Sequence, residues 1–215
     1  ISGVLLGIML AAADYHVDWK AALLLVAATV CLHLYAVTSK PVNGQVKMRP
    51  GVFLALTVLS GLAMLHFSFG TLFMMEPLIL IVLGYMIIRA VRHTSFVSRG
   101  KGILYVFILF GLLAVYGSYY VCSHSFGSWP LLFPALSIGL LSVADRTDDS
   151  QKTLRIVMNV AGFAAMIAYS CLRMFDPWHF LFVLSLPLFF IRKTSDWAVS
   201  AFALLSGLGF LVYLV

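Results

Sequence analysis

The feature that most constrains the fold of this chain is a series of nine apolar stretches within 215 residues, joined by short polar junctions. A helix needs about 20 residues to cross the hydrocarbon of a bilayer, and several of these stretches approach that length only with their polar flanks. We therefore predict an all-α membrane bundle of nine transmembrane helices that forms a single domain, residues 1–215. The stretches are Ile1–Ala13, Ala21–Val37, Gly51–Phe67, Pro77–Ile88, Gly102–Cys122, Trp129–Ala144, Leu154–Leu172, Trp178–Ile191 and Trp197–Val215.

The charge of the junctions alternates, and this alternation predicts an orientation. Twelve of the fourteen Lys and Arg residues lie at the second, fourth, sixth and eighth junctions, whereas the other junctions hold only Lys20 and Arg173. Because cationic loops resist translocation, the cation-rich side is predicted to be cytoplasmic, with the N-terminus inside and the C-terminus outside. We expect an integral protein of the bacterial inner membrane, with Trp19, Trp129 and Trp178 at the outer interface.

The composition indicates a membrane as the partner of this chain and argues against nucleic acid. Apolar residues make up 62% of the chain and charged residues 10%, whereas soluble domains are about a quarter charged. The net charge of +6 lies almost wholly in the predicted cytoplasmic loops, where it would attract anionic lipid headgroups and does not indicate nucleic-acid binding. The three cysteines, Cys31, Cys122 and Cys171, have no metal-ligand spacing, and we interpret them as buried small apolar residues.

Small residues recur inside the apolar stretches and predict close helix packing. Gly, Ala and Ser let helices approach one another where lipid provides no hydrophobic drive for association. The pairs and single positions concerned are Ser60-Gly61, Gly111, Gly117-Ser118, Ala161-Gly162 and Ser206-Gly207.

The densest polar segment is the sixth junction, residues 144–154, which holds three of the eight acidic residues. A helical turn would place Asp145 and Asp149 on one face, and two carboxylates can hold Mg²⁺, which also takes phosphate oxygens as ligands. Lys152 and Arg155 could contact the same phosphates. The spacing alone leaves open a second interpretation, a solvated loop whose Asp residues cap the following helix.

Two motifs between Gly100 and Leu154 carry a resemblance to a known family. Residues 100–121, GKGILYVFILFGLLAVYGSYYV, are similar to a fifth helix with Val-Phe-Phe-Gly followed by Gly-(Ser/Thr)-(Tyr/Trp)-Tyr. Residues 145–149, DRTDD, match a D-x-x-x-D motif, and residues 152–154 match the Lys-x-Thr-(Leu/Ile) that follows it. On these residues the chain resembles the UbiA superfamily of intramembrane aromatic prenyltransferases, nearest to the dihydroxynaphthoate prenyltransferases of menaquinone synthesis.

The resemblance implies a substrate, a cofactor and a set of site residues. It implies transfer of a polyprenyl chain from its diphosphate, held through Mg²⁺, to an aromatic acceptor in the synthesis of a menaquinone-like quinone. It implies Asp145 and Asp149 as metal ligands supported by Asp148, with Arg146 and Lys152 contacting the diphosphate. A long isoprenoid tail would also need an apolar tunnel between the helices.

The second junction departs from the family pattern, which places an N-D-x-x-D motif there. Residues 32–47 contain no carboxylate. Lys47 and Arg49 could instead contact an anionic headgroup directly. Two functions therefore stay open: an active prenyltransferase, and a non-catalytic relative that serves as a lipid-binding or scaffold subunit beside a protein partner. Because the sequence begins at Ile1 instead of Met, we expect that absent segments, including one near residues 38–48, could supply the missing motif.

Three tyrosines late in the fifth stretch have two interpretations. Tyr116, Tyr119 and Tyr120 could line a cavity and stabilise a carbocation through their ring faces. An aromatic belt at the membrane interface would explain Tyr119 and Tyr120 equally well. We predict Tyr116 as the cavity-lining residue.

Overall fold

The computed structural model describes most of the chain, and every element in it is helical. No strand occurs in the described ranges, which confirms the all-α prediction for them. The fourth apolar stretch, Pro77–Ile88, lies outside these ranges, so the number of nine helices stays a prediction. The described residues are 1–14, 17–38, 50–67, 106–125, 127–147, 151–173, 176–190 and 195–212.

The helices follow the apolar stretches, with two changes of helical type. Among the described helices, one, Lys152–Leu172, is long and apolar enough to cross a membrane by length and composition. The elements in chain order are α1 (Ser2–Asp14), α2 (Trp19–Thr38), α3 (Pro50–Phe67), a π-helical segment (Phe107–Leu113) continuing into α4 (Ala114–Ser123), a 3₁₀ turn (Trp129–Leu131) leading into α5 (Leu132–Asp145), α6 (Lys152–Leu172), a 3₁₀ helix (Pro177–Phe190) and α7 (Ser195–Leu211).

Helix boundaries coincide with capping residues in the sequence. Asp18 precedes α2, and its Oδ1 accepts hydrogen bonds from the backbone N–H groups of Lys20 (3.0 Å) and Ala21 (3.2 Å). At the end of α4, His124 adopts a left-handed backbone conformation (φ 52°) and its N–H donates to the Tyr120 carbonyl at 2.8 Å. Within the 3₁₀ helix, Pro187 disfavours an α-helical backbone because its ring would clash with the preceding turn.

An aromatic cluster joins the C-terminal helices. The rings of Phe163 on α6, Phe182 and Phe189 on the 3₁₀ helix, and Phe202 on α7 form edge-to-face or tilted pairs, with centroids 5.0–6.4 Å apart. Pairs of this kind stabilise packing by about 1 kcal/mol beyond the area they bury. The α5–α6 hairpin is thereby held to α7, which also packs on α1.

Close contacts on both sides clamp the π-helical segment. A Cβ added to Gly3 of α1 would lie 2.7 Å from the carbonyl oxygen of Phe110. On the other side, a Cβ added to Gly111 would lie 2.5 Å from the Ala135 carbonyl oxygen and 2.8 Å from the Gly139 Cα. The backbone at these positions is therefore fixed between α1 and α5, as predicted for Gly111.

Two interpretations from the sequence are corrected by burial. Cys122 is buried as expected, but Cys171 is exposed and Cys31 is partly exposed, because each faces away from the neighbouring helices. Tyr119 and Tyr120 are 1% and 6% exposed, respectively, so they do not belong to an interfacial aromatic belt.

Candidate functional site

The α5–α6 hairpin brings three of the predicted site residues to one end of the molecule. Asp145 is the last residue of α5 and Lys152 the first of α6. The helices pack antiparallel, since a Cβ on Gly162 of α6 would lie 3.0 Å from the side chain of Leu141 on α5. Residues 146–151 make the connection, so Arg146 lies at the same end, and both Arg146 and Lys152 are exposed.

Arg146 is held against an aromatic ring. Its guanidinium carbon lies 4.1 Å from the ring centroid of Phe110 in the π-helical segment. The backbone N–H of Arg146 also donates to the Val143 carbonyl at 3.1 Å, which ends α5 in a tight turn. A guanidinium stacked through its face can still donate hydrogen bonds in its own plane, which suits it to phosphate recognition.

Four of the predicted site residues lie outside the described residues: Asp148, Asp149, Lys47 and Arg49. Among the described residues, no group of three or more His, Cys, Asp or Glu side chains is placed to hold a metal ion. Of the three predicted metal ligands only Asp145 is described, and its side chain is of a type that binds Mg²⁺: a carboxylate on a half-buried residue at the end of a helix, with Arg146 next in the chain. Magnesium typically binds through one or two carboxylates, with phosphate oxygens and water completing its shell.

Tyr116, predicted to line a cavity, lies elsewhere in the molecule. It is half-buried against the apolar core and lies near Tyr169 of α6. Tyr169 is 17 residues beyond Lys152, which corresponds to about 26 Å along the helix. The structure therefore does not group Tyr116 with Asp145 and Arg146.

A second polar cluster lies at the opposite end of the bundle. The Arg173 guanidinium, just beyond α6, forms an ion pair with both carboxylate oxygens of Asp14 at the end of α1. The Tyr119 hydroxyl on α4 donates to Asp14 Oδ2 at 3.0 Å. The Asp14 and Arg173 side chains are 12% and 31% exposed, so the pair is largely withdrawn from water. We name Asp14, Tyr119 and Arg173 the outer clasp, because they join three helices.

The contacts within the outer clasp favour the protonated form of Arg173. Burial alone would lower the pKa of the Arg173 guanidinium, but the hydrogen bond to Asp14 and the nearby charges more than offset this, and the pKa is raised. The guanidinium carbon also lies 5.6 Å from the Tyr169 ring centroid. Arg173 therefore stays protonated at any pH the protein would meet.

A weaker pair lies beside the clasp. His124 Nε2 is 3.6 Å from Asp18 Oδ2, with the two side chains 37% and 28% exposed. The backbone N–H of Asp18 donates to the Cys122 carbonyl at 3.1 Å, which ties the start of α2 to the end of α4. Exposed pairs of this kind contribute about 0–1 kcal/mol.

The ion pair of the outer clasp was not predicted from the sequence, although the position of Arg173 gave one indication of it. Arg173 is one of two cations at the cation-poor junctions, where a charge needs a partner if it is to be buried. Asp14, Asp18 and Asp176 lie at the same set of junctions and were all possible partners. Nothing in their spacing distinguishes Asp14, since Asp14 and Arg173 come together only in the folded bundle.

Comparison with known proteins identifies no relative: the chain matches no protein-family model, no curated protein sequence and no solved structure.

Proposed function

We propose that this chain is an integral membrane protein whose helices cross the bilayer in the alternating orientation that its charges predict. The exposed face of α6 supports this. Ile156, Val157 and Val160 are 57%, 55% and 65% exposed. Exposing such side chains to water costs about 25 cal/mol per Å², whereas contact with lipid chains carries no such cost.

The length of the 3₁₀ helix also supports a membrane location. Pro177–Phe190 has 14 residues, which would reach only about 21 Å as an α-helix. A 3₁₀ helix rises about 2.0 Å per residue, so the same residues extend about 28 Å, near the thickness of the hydrocarbon. The tighter winding thus lets a short stretch span the bilayer.

This topology predicts which ends of the helices are accessible from outside the cell. In a variant lacking the three native cysteines, we expect Ser125→Cys to react with a membrane-impermeant maleimide in intact cells. Thr153→Cys at the start of α6 should react only after permeabilisation, because it lies on the cytoplasmic side. Labelling of Thr153→Cys in intact cells with Ser125→Cys protected would overturn the orientation.

For its activity, we propose a UbiA-type prenyltransferase that moves a polyprenyl chain from its diphosphate to an aromatic acceptor, as in the synthesis of menaquinone-like quinones. The observation that carries this proposal is the common end of the α5–α6 hairpin, where α5 ends at Asp145, Arg146 follows it and α6 begins at Lys152. A carboxylate beside two cations suits a diphosphate whose charge is shared between a metal ion and protein donors.

Each side chain has a separate part in this proposal. Arg146 and Lys152 donate to diphosphate oxygens and stabilise the negative charge that develops as the allylic C–O bond breaks. Asp145, with Asp149 and Asp148, would hold Mg²⁺. When bound, the metal ion neutralises charge on the leaving group. The aromatic acceptor would then form a C–C bond to the allylic carbon in place of the broken C–O bond, and its ring proton would pass to the released diphosphate or to water.

The test is prenyl transfer by the purified protein in nanodiscs with and without Mg²⁺. We expect Asp145→Asn combined with Asp149→Asn to lower the Mg²⁺-dependent rate by roughly 100-fold or more, because the ligands of the metal ion are lost. Asp176→Asn is the matched control. It makes the same chemical change at the opposite end, where Asp176 accepts a hydrogen bond from the Trp178 N–H. Equal activity in all three proteins would contradict the proposed site.

A second function, a non-catalytic lipid-binding or scaffold subunit, is favoured by the absence of carboxylates in residues 32–47. Such a protein would bind a polyprenyl diphosphate without turning it over. Tight binding of farnesyl diphosphate, without product across several acceptors and chain lengths, would support this function over the enzyme.

A further inference from the structure

We propose that Phe110 is a positioning residue that fixes the Arg146 guanidinium for diphosphate recognition, an inference that rests on the proposed function. The observation is the stack between the two side chains, with the guanidinium carbon 4.1 Å from the ring centroid. Arg146 is exposed at the end of α5, and a long exposed side chain samples many rotamers unless its contacts hold it in place. Ordering such a side chain costs free energy on binding unless it is already held.

The ring that holds Arg146 is itself fixed by its backbone. Gly3 of α1 approaches the Phe110 carbonyl, where an added Cβ would be 2.7 Å away. The next residue, Gly111, approaches the Ala135 carbonyl of α5 equally closely, with an added Cβ 2.5 Å away. A backbone confined on both sides limits where the Phe110 side chain can lie, and its ring lies against the guanidinium.

The helical type at this position agrees with a functional role. Residues Phe107–Leu113 form a π-helical segment, a rare conformation that occurs frequently at functional sites. An inserted residue in a π-helical turn changes the direction in which the following side chains point. The segment therefore costs some backbone stability and places an aromatic ring at the end of α5, next to the predicted diphosphate site.

The contact with the ring leaves Arg146 able to bind phosphate. An arginine can pack its guanidinium over an aromatic ring and still direct its N–H donors outward in its own plane, where hydrogen bonds to phosphate oxygens form. The aromatic contact and phosphate binding are therefore compatible. Removing the ring should weaken diphosphate binding, and it should do so only while the arginine is present.

The test measures displacement of radiolabelled farnesyl diphosphate from the protein in nanodiscs, with inorganic diphosphate as a second ligand. We expect Phe110→Leu to weaken the binding of both ligands roughly three- to tenfold, because a flat ring is replaced by an aliphatic side chain. Phe110→Tyr keeps the ring and should remain within about twofold of the wild type. The matched control is Phe133→Leu at the other end of α5, where the ring packs on Trp129 with centroids 5.8 Å apart.

A double-mutant comparison separates positioning from general packing. In an Arg146→Met background, Phe110→Leu should cause no further loss, because the group that it positions is gone. An equal loss in that background, or a Phe110→Tyr protein as weak as Phe110→Leu, would overturn the inference. Inorganic diphosphate that fails to compete with farnesyl diphosphate would also overturn it, since the recognised group would then be the tail.

The result distinguishes this inference from the proposed function. If the wild-type protein binds both ligands and Phe110→Leu binds them equally well, the positioning role is wrong and the diphosphate site stands. If the wild-type protein binds neither ligand, the proposed function fails and the positioning role fails with it.

Discussion

Replacing Asp14 with Asn is expected to lower the free energy of unfolding by roughly 3 kcal/mol. The substitution keeps the size of the side chain and an oxygen that can accept from the Tyr119 hydroxyl. It removes the charge that is paired with Arg173 in a largely buried setting, where the two side chains are 12% and 31% exposed. An unpaired guanidinium would then remain among α1, α4 and α6. Reversible unfolding in mixed micelles would measure the loss.

Two comparisons test whether the buried charge is the cause. Combining Asp14→Asn with Arg173→Gln removes both charges, so the double variant should recover part of the lost stability. His124→Asn breaks the exposed pair with Asp18 while tolerating the left-handed backbone, and it should cost about 1 kcal/mol or less. A loss for Asp14→Asn no larger than that for His124→Asn would show that the outer clasp does not stabilise the bundle.

Asp14→Asn is expected to lower the free energy of unfolding by the same amount at neutral and at mildly alkaline pH. The pKa of Arg173 is raised in the folded protein, so its stabilising contribution is fully present below the ordinary pKa of an arginine, which already lies well above this pH range. That contribution would be lost only as the pH rises through the higher, folded value.

The helical elements could be predicted because they depend on local pattern. The apolar stretch Leu154–Leu172 lies within α6 (Lys152–Leu172), and Asp18 before the second stretch is the cap of α2. What could not be predicted is helical type. The eighth stretch is a 3₁₀ helix and part of the fifth is π-helical, since these conformations respond to neighbouring helices as well as to the residues themselves.

The candidate site likewise has a part that the sequence could predict and a part that it could not. Asp145, Arg146 and Lys152 are close in sequence, so a single hairpin brings them to one end. The Phe110 ring beneath Arg146 and the Asp14–Arg173 pair join residues 36 and 159 positions apart, respectively. Such contacts arise only from the way the helices pack, which composition and spacing do not specify.

Gly111→Ala and Gly117→Ala are expected to change stability in opposite directions, although both glycines are predicted from the sequence to allow close packing. A Cβ at Gly111 would lie 2.5 Å from the Ala135 carbonyl oxygen and 2.8 Å from the Gly139 Cα. Both are backbone atoms that cannot rotate aside, so α5 must move, at a cost of about 3 kcal/mol. Thermal unfolding in detergent would show this as a lower midpoint.

Gly117 is the matched control because it lies in the same continuous helical unit, six residues further along. A Cβ there would meet no heavy atom of the described residues within 4 Å. Alanine also restricts the unfolded chain more than glycine does, so Gly117→Ala should stabilise the protein by about 0.5–1 kcal/mol. Destabilisation by both substitutions would mean that the α4 surface at Gly117 is covered by another helix. If neither substitution lowers the stability, α5 and the π-helical segment are not in close contact. The confinement of the Phe110 backbone would then be wrong as well.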